Sequence, residues 1–131
     1  MMYPGSDKLD ASMALAVRFR YGNPDRLQTT CEAIDRELGR GAYHYRYWGV
    51  DAEEGCFLAC TFWLSEAMAL LGQAELASEN FEAVVAALDR NSGTYSEMAD
   101  PATGNFLGNL PQGLTHLARI QAAATLSGSN L

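Results

Sequence analysis

No stretch of the chain is long and apolar enough to span a bilayer. The opening Met1-Met2-Tyr3-Pro4-Gly5-Ser6-Asp7 has no basic segment followed by an apolar one, so no secretory leader is expected and the cytoplasm is the default location. Positive charge is scarce. Nine Lys and Arg stand against sixteen Asp and Glu, a formal net charge of −7. That balance argues against nucleic acid or an anionic membrane as partner. Cysteines are few, only Cys31, Cys56 and Cys60. An odd number without a disulfide pattern suggests free, buried thiols in a reducing compartment. Two thiols four residues apart are too few for a metal without histidines, and no metal or cofactor is expected. No segment shows sustained alternation with β-branched residues, so no substantial sheet is expected. Gly104 and Gly108 form no phosphate loop, because no Lys-Ser/Thr follows them.

What remains is helical. With 131 residues, 48% hydrophobic and 19% charged, the chain suits one compact domain, 1–131, with a real core. Five helices are predicted, near residues 10–21, 25–38, 57–71, 74–90 and 111–126. The second and fourth carry single apolar stripes, Leu27-Cys31-Ile34-Leu38 and Ala77-Phe81-Val84-Leu88. The first, third and fifth are apolar nearly all round, and Glu66 is the only charge of the third. Helices apolar on every side are surrounded by protein. The order is therefore inner, outer, inner, outer, inner, the pattern of a layered all-α architecture.

Short turns join the first helix to the second and the third to the fourth, which makes them antiparallel neighbours. The other two connections are long, residues 39–55 and 91–110. If helix directions alternate, both long loops fall at one end, where function usually sits. The first loop offers Tyr43, His44, Tyr45, Arg46, Tyr47, Trp48, Asp51, Glu53 and Glu54; the second offers Tyr95, Glu97, Asp100, Asn105 and Asn109. Aromatic rings, carboxylates and a guanidinium suit a sugar, since rings stack on pyranose faces and planar polar groups take hydroxyls. Aromatics of this kind also pin loops to a core. Arg46 could equally pair with Asp51 or Glu53, and Glu97 could be a solvated carboxylate or a cap. Trp63 and His116, each on an inner helix, read as core groups.

Four stretches narrow the choice: Tyr43-His44-Tyr45-Arg46-Tyr47, Glu54-Gly55-Cys56-Phe57-Leu58-Ala59-Cys60-Thr61-Phe62-Trp63-Leu64, Tyr95-Ser96-Glu97, and residues 100–112. Together they resemble the C-terminal end of the catalytic barrel of glucoamylase-like glycoside hydrolases (family 15, which includes glucoamylases, glucodextranases and some bacterial trehalases). The resemblance runs over almost the whole chain, departing at Met98, where a second acidic residue is often found. It implies a partial α/α barrel of helical hairpins, the last part of a six-hairpin toroid. It implies that Glu97 is a general base and that Arg46, Trp48, Glu54 and Tyr95 meet a glucose-containing saccharide. Inverting enzymes of this type set two carboxyls about 6.5–9.5 Å apart around a water. The general acid of the family lies upstream of everything present here, so the chain is expected to be inactive alone. Its inner helices would lack part of their cover, so a homo-oligomer or pairing with the missing barrel half is expected. The alternative is a non-catalytic helical interaction module. The turn from Leu70 to Phe81 resembles a tetratricopeptide hairpin, but nothing recurs at about 34 residues.

Overall fold

The computed structural model describes residues 5–51, 54–89 and 93–128. A 3-10 turn, Ala11–Ala14, runs into helix α1, Leu15–Arg18. Helices α2 (Pro24–Leu38), α3 (Leu58–Leu70), α4 (Ala74–Leu88) and α5 (Gly113–Leu126) follow. Strands β1 (Gly39–Arg40) and β2 (Tyr43–His44) make a small hairpin after α2. Strands β3 (Cys56–Phe57), β4 (Met98–Ala99) and β5 (Phe106–Leu107) form an antiparallel sheet in that order. Every strand is two residues long, so the class is all-α.

Local chemistry accounts for the clearest boundary. Asn23 caps α2 by accepting from the N–H groups of Asp25 at 2.9 Å and Arg26 at 3.3 Å, and Pro24 supplies a preset first turn. Two boundaries differ from expectation. The first helix stops at Arg18 rather than near residue 21, because Arg20 turns the backbone to φ +53. The fifth starts at Gly113 rather than at Pro111, because Gln112 is extended at φ −118, ψ 112.

Helix α3 is the centre of the fold and packs against α1, α2, α4 and α5. Ten of its thirteen residues are buried, so the all-round apolar pattern does mark an inner helix. Phe62 meets Phe81 of α4 with ring centroids 5.7 Å apart. The one carboxylate of α3, Glu66, is only 2% exposed. It is satisfied by ion pairing to Arg18 of α1 and by the Thr125 hydroxyl of α5, which donates at 2.9 Å. A charge this deep is tolerable because both flanking helices supply partners. All three thiols are free and buried. Burial pushes Cys31 up to about 11 and Cys56 up to about 12.

Helix α5 departs from the inner-helix expectation on one side. Thr115, Ala118 and Ala122 are buried, while Leu114, Leu117 and Ile120 are 42%, 60% and 53% exposed. With Leu110 at 56%, they make an open apolar stripe. Among the described residues, no helix is long and apolar enough to cross a membrane.

Candidate active site

The two long loops meet at the N-terminal end of α3. Strand β3 comes from the first loop and β4 and β5 from the second, with Cys56 opposite Ala99 and Phe57 opposite Met98. Gly55 permits the approach: a Cβ there would lie 2.7 Å from the Ala99 carbonyl oxygen.

Tyr95-Ser96-Glu97 is held by its backbone on several sides. The Tyr95 N–H donates to His116 Nε2 at 3.1 Å, and the Tyr95 carbonyl accepts from Gln112 at 2.9 Å. The Ser96 carbonyl accepts the Thr115 hydroxyl at 2.9 Å. Glu97 donates its N–H to the Asn109 carbonyl at 2.8 Å and accepts from the Leu58 N–H at 3.1 Å. Its side chain is half-buried. Oε2 accepts the Asn109 N–H at 3.2 Å. Gly108, at φ +73, leaves room for this carboxylate, since a Cβ there would lie 2.7 Å from Oε2.

Arg46 lies over two rings, with its guanidinium carbon 4.9 Å from the Tyr47 centroid and 5.6 Å from that of Phe57. It pairs with Glu54 at 3.0 Å, not with Asp51; Glu53 lies outside the described residues. Arg46 Nε and Glu54 Oε1 are buried and unpartnered among the described residues. Such orphaned groups are costly unless something else satisfies them. Phe57, beneath Arg46, pairs with Met98, the neighbour of Glu97. The sheet therefore brings the Arg46–Glu54 pair and Glu97 to the same end of the bundle.

Other residues of the two loops have structural employment. Tyr95 is only 1% exposed. Its ring stacks on His116 at 5.1 Å, Arg119 sits over it at 5.4 Å, and its hydroxyl donates to Asp89 at 3.2 Å. The structure thus places Tyr95 in the core rather than on the surface beside Arg46. His116 is hydrogen-bonded, as its helix suggested, but half-buried rather than in the core. His44 is buried, with its ring on Asp35 at 2.8 Å and its backbone N–H on the Thr61 hydroxyl at 3.0 Å. That bond holds the Asp35 carboxyl below its usual range, against the opposing effect of burial. Asp100 and Asn105 make the β4–β5 turn through a 2.9 Å backbone bond.

Trp48 faces elsewhere. It is 54% exposed and lines a cavity of about 210 Å³ with Glu37, Arg40, Tyr45, Tyr47 and Asp51. Glu37 and Arg40 escape a reading of the loops alone, because only the β1–β2 register sets Arg40 opposite Tyr43. A larger cavity, about 690 Å³, lies at the far end of α3 between Phe19, Leu27 and Leu70. It shares no residue with the two loops.

No family model matches the chain. Curated trehalases do. The chain is 38% identical over 126 residues to the trehalase of Mycolicibacterium smegmatis, covering 90% of this chain and 19% of that one. It is 35% identical over 132 residues to the trehalase of Thermoplasma acidophilum, covering 96% and 22%. The chain thus spans about a fifth of the length of these relatives. A solved structure described as a wild-type glycosidase superposes with a TM-score of 0.78 at 19% identity, over 96% of this chain and 38% of that chain. That likeness concerns the fold. In sequence and in fold, the chain fits a fragment of a glucoamylase-like or trehalase domain.

Proposed function

We propose that the chain carries part of the active centre of an inverting glucoside hydrolase acting on trehalose or α-glucans. The observation that carries this reading is the fixed, half-buried carboxylate of Glu97, joined through one sheet to the Arg46–Glu54 pair. Glu97 takes a proton from water as the water oxygen attacks the anomeric carbon. Arg46 Nε and Glu54 Oε1, both in need of partners, bind hydroxyls of the glucose ring. Trp48 extends the contact to a neighbouring part of the saccharide. Tyr95 acts from behind, holding the loop rather than touching sugar. The departing oxygen needs a proton from an acid that these residues do not supply. Losing such assistance lowers the rate about 10²–10⁴-fold, so the chain alone is inactive.

The open stripe on α5 supports a second part of the reading. Leu110, Leu114, Leu117 and Ile120 pack against further helices of the same barrel. The same stripe also supports the other class of function, a helical interaction module that associates with itself. An assay for glucose released from trehalose and maltose separates the two. The chain alone should give none. The chain joined to the preceding part of a related trehalase should give turnover that Glu97→Gln abolishes. Turnover untouched by Glu97→Gln would sink the base assignment. A joined protein that folds but stays inactive would favour the interaction module.

A further inference from the structure

We propose that His116 is a positioning residue for Glu97: its bare Nε2 holds the Tyr95 amide, and the hold exists only while the imidazole is neutral. The catalytic use of this hold rests on the hydrolytic reading; its geometry does not. The start of α5 ties the segment 95–97 to rigid structure at three points. The Gln112 N–H donates to the Tyr95 carbonyl, the Thr115 hydroxyl donates to the Ser96 carbonyl, and His116 Nε2 accepts from the Tyr95 N–H at 3.1 Å. Helix α5 packs along α3, the central helix, so these ties reference the candidate base to the core.

One of the three ties differs in kind. A peptide N–H and a hydroxyl donate at any ordinary pH; an imidazole nitrogen changes role. To accept at Nε2, the ring must carry its single proton on Nδ1. A second proton would go to Nε2 and point at the Tyr95 N–H, donor against donor. That N–H has no escape to water, since Tyr95 is 1% exposed. His116 is half-buried, so its ring exchanges protons with solvent. On protonation the segment swings off α5, and Glu97, two residues on, moves with it. The hold is therefore present while the ring is neutral and lost as pH falls and the second proton arrives. Charged groups stand on each element around the ring. Arg119 of α5 lies over the Tyr95 ring at 5.4 Å, and Asp89 after α4 accepts the Tyr95 hydroxyl at 3.2 Å. Glu66 of α3 is engaged with Arg18 and Thr125, the Glu97 carboxylate accepts from Asn109, and Glu75, Glu79 and Glu82 of α4 are exposed. Among the described residues, only His116 accepts the Tyr95 N–H. Its ring also stacks on that of Tyr95, centroids 5.1 Å apart, so the stack and the acceptor have to be separated.

Two substitutions separate them. His116→Phe keeps a ring on Tyr95 and removes the acceptor. His116→Gln removes the ring and returns an amide oxygen near the Nε2 position. Amide exchange at Tyr95 and at residue 97 of the purified chain should quicken about fivefold to tenfold in His116→Phe, and much less in His116→Gln. In the wild type the same quickening should appear on acidification, beyond the intrinsic pH dependence of exchange. It should follow the His116 ring resonances in nitrogen-15 NMR and be absent from His116→Gln. Glu97→Gln should keep this acid response, which separates it from titration of the carboxylate. In a joined protein that turns over, His116→Phe should lower kcat about tenfold with KM little changed, and His116→Gln should restore most of it. The opposite order, with Gln quickening exchange and Phe leaving it slow, would make His116 a packing residue and overturn the proposal. Wild-type exchange indifferent to protonation of His116 would overturn it too. Circular dichroism checks each fold; were His116→Phe to unfold, the acid response of the wild type against His116→Gln decides. Exchange that behaves as expected in a joined protein without turnover would keep the hold on residue 97 and remove only the hydrolytic reading.

Discussion

Replacing Gly108 by Ala tests how the Glu97 carboxylate is held. Gly108 has φ +73, and an L-residue there costs about 1–2 kcal/mol. The new methyl would also stand 2.7 Å from Glu97 Oε2 and 3.2 Å from Glu97 Cβ. The carboxylate must then swing away and give up the Asn109 N–H, a bond of 3.2 Å worth about 1 kcal/mol at a half-exposed position. The expected loss is about 2–3 kcal/mol in all. Gly72→Ala is the control, because Gly72 has φ +91 with no atom within 4 Å of its Cβ position. Urea unfolding followed by far-ultraviolet circular dichroism gives both losses. Gly108→Ala should exceed Gly72→Ala by about 1 kcal/mol, and adding Glu97→Ala should recover most of that excess. Equal losses at the two glycines, or no recovery with Glu97→Ala, would refute this picture of how the Glu97 carboxylate is positioned.

Three further outcomes are expected. Leu117→Glu and Ile120→Glu should change the unfolding midpoint little, about 0.5 kcal/mol or less, since both residues are more than half exposed; in sedimentation they should abolish any self-association. Arg18→Met strands the Glu66 carboxylate with Thr125 alone and should cost about 3 kcal/mol, partly restored by Glu66→Gln, both read from urea midpoints. The Asp35 carboxyl is held below its usual range by His44, so its contribution is present above its unfolded value of about 4 and lost as pH falls through the lower folded value. The stability gap between wild type and Asp35→Asn should therefore close on acidification; a gap that widens would reverse the sign of this argument.

The helices were legible because each carries a 3.6-residue apolar rhythm that only burial explains. The third segment, apolar on every side, became the central helix. The fifth has the same composition, yet one side of it stays open. Composition records that a face is to be covered, not whether the covering atoms lie within these residues. Loop-length reasoning rightly set both loops at one end, and strands β3 and β4 join them there. It could not say which loop aromatics face inward. Tyr95 lies in the core because His116 stacks on its ring and Arg119, one α5 turn on, also lies over that ring. The Asp35–His44 bond and the Trp48 cavity were illegible for a related reason. Both depend on a two-residue hairpin whose register no apolar pattern announces.

Helix α3 begins without a side-chain cap of its own; the residue before it, Phe57, has nothing to offer a bare N–H. The Leu58 amide is instead satisfied by the Glu97 carbonyl, a residue from the other loop. The most buried helix of the molecule is thus started by the segment that carries the candidate base. Fraying of that segment must reach α3 at once, and Glu97 cannot drift without uncapping the core. Amide exchange at Leu58 is for that reason a direct gauge of how well residue 97 is held, readable without any assay of turnover.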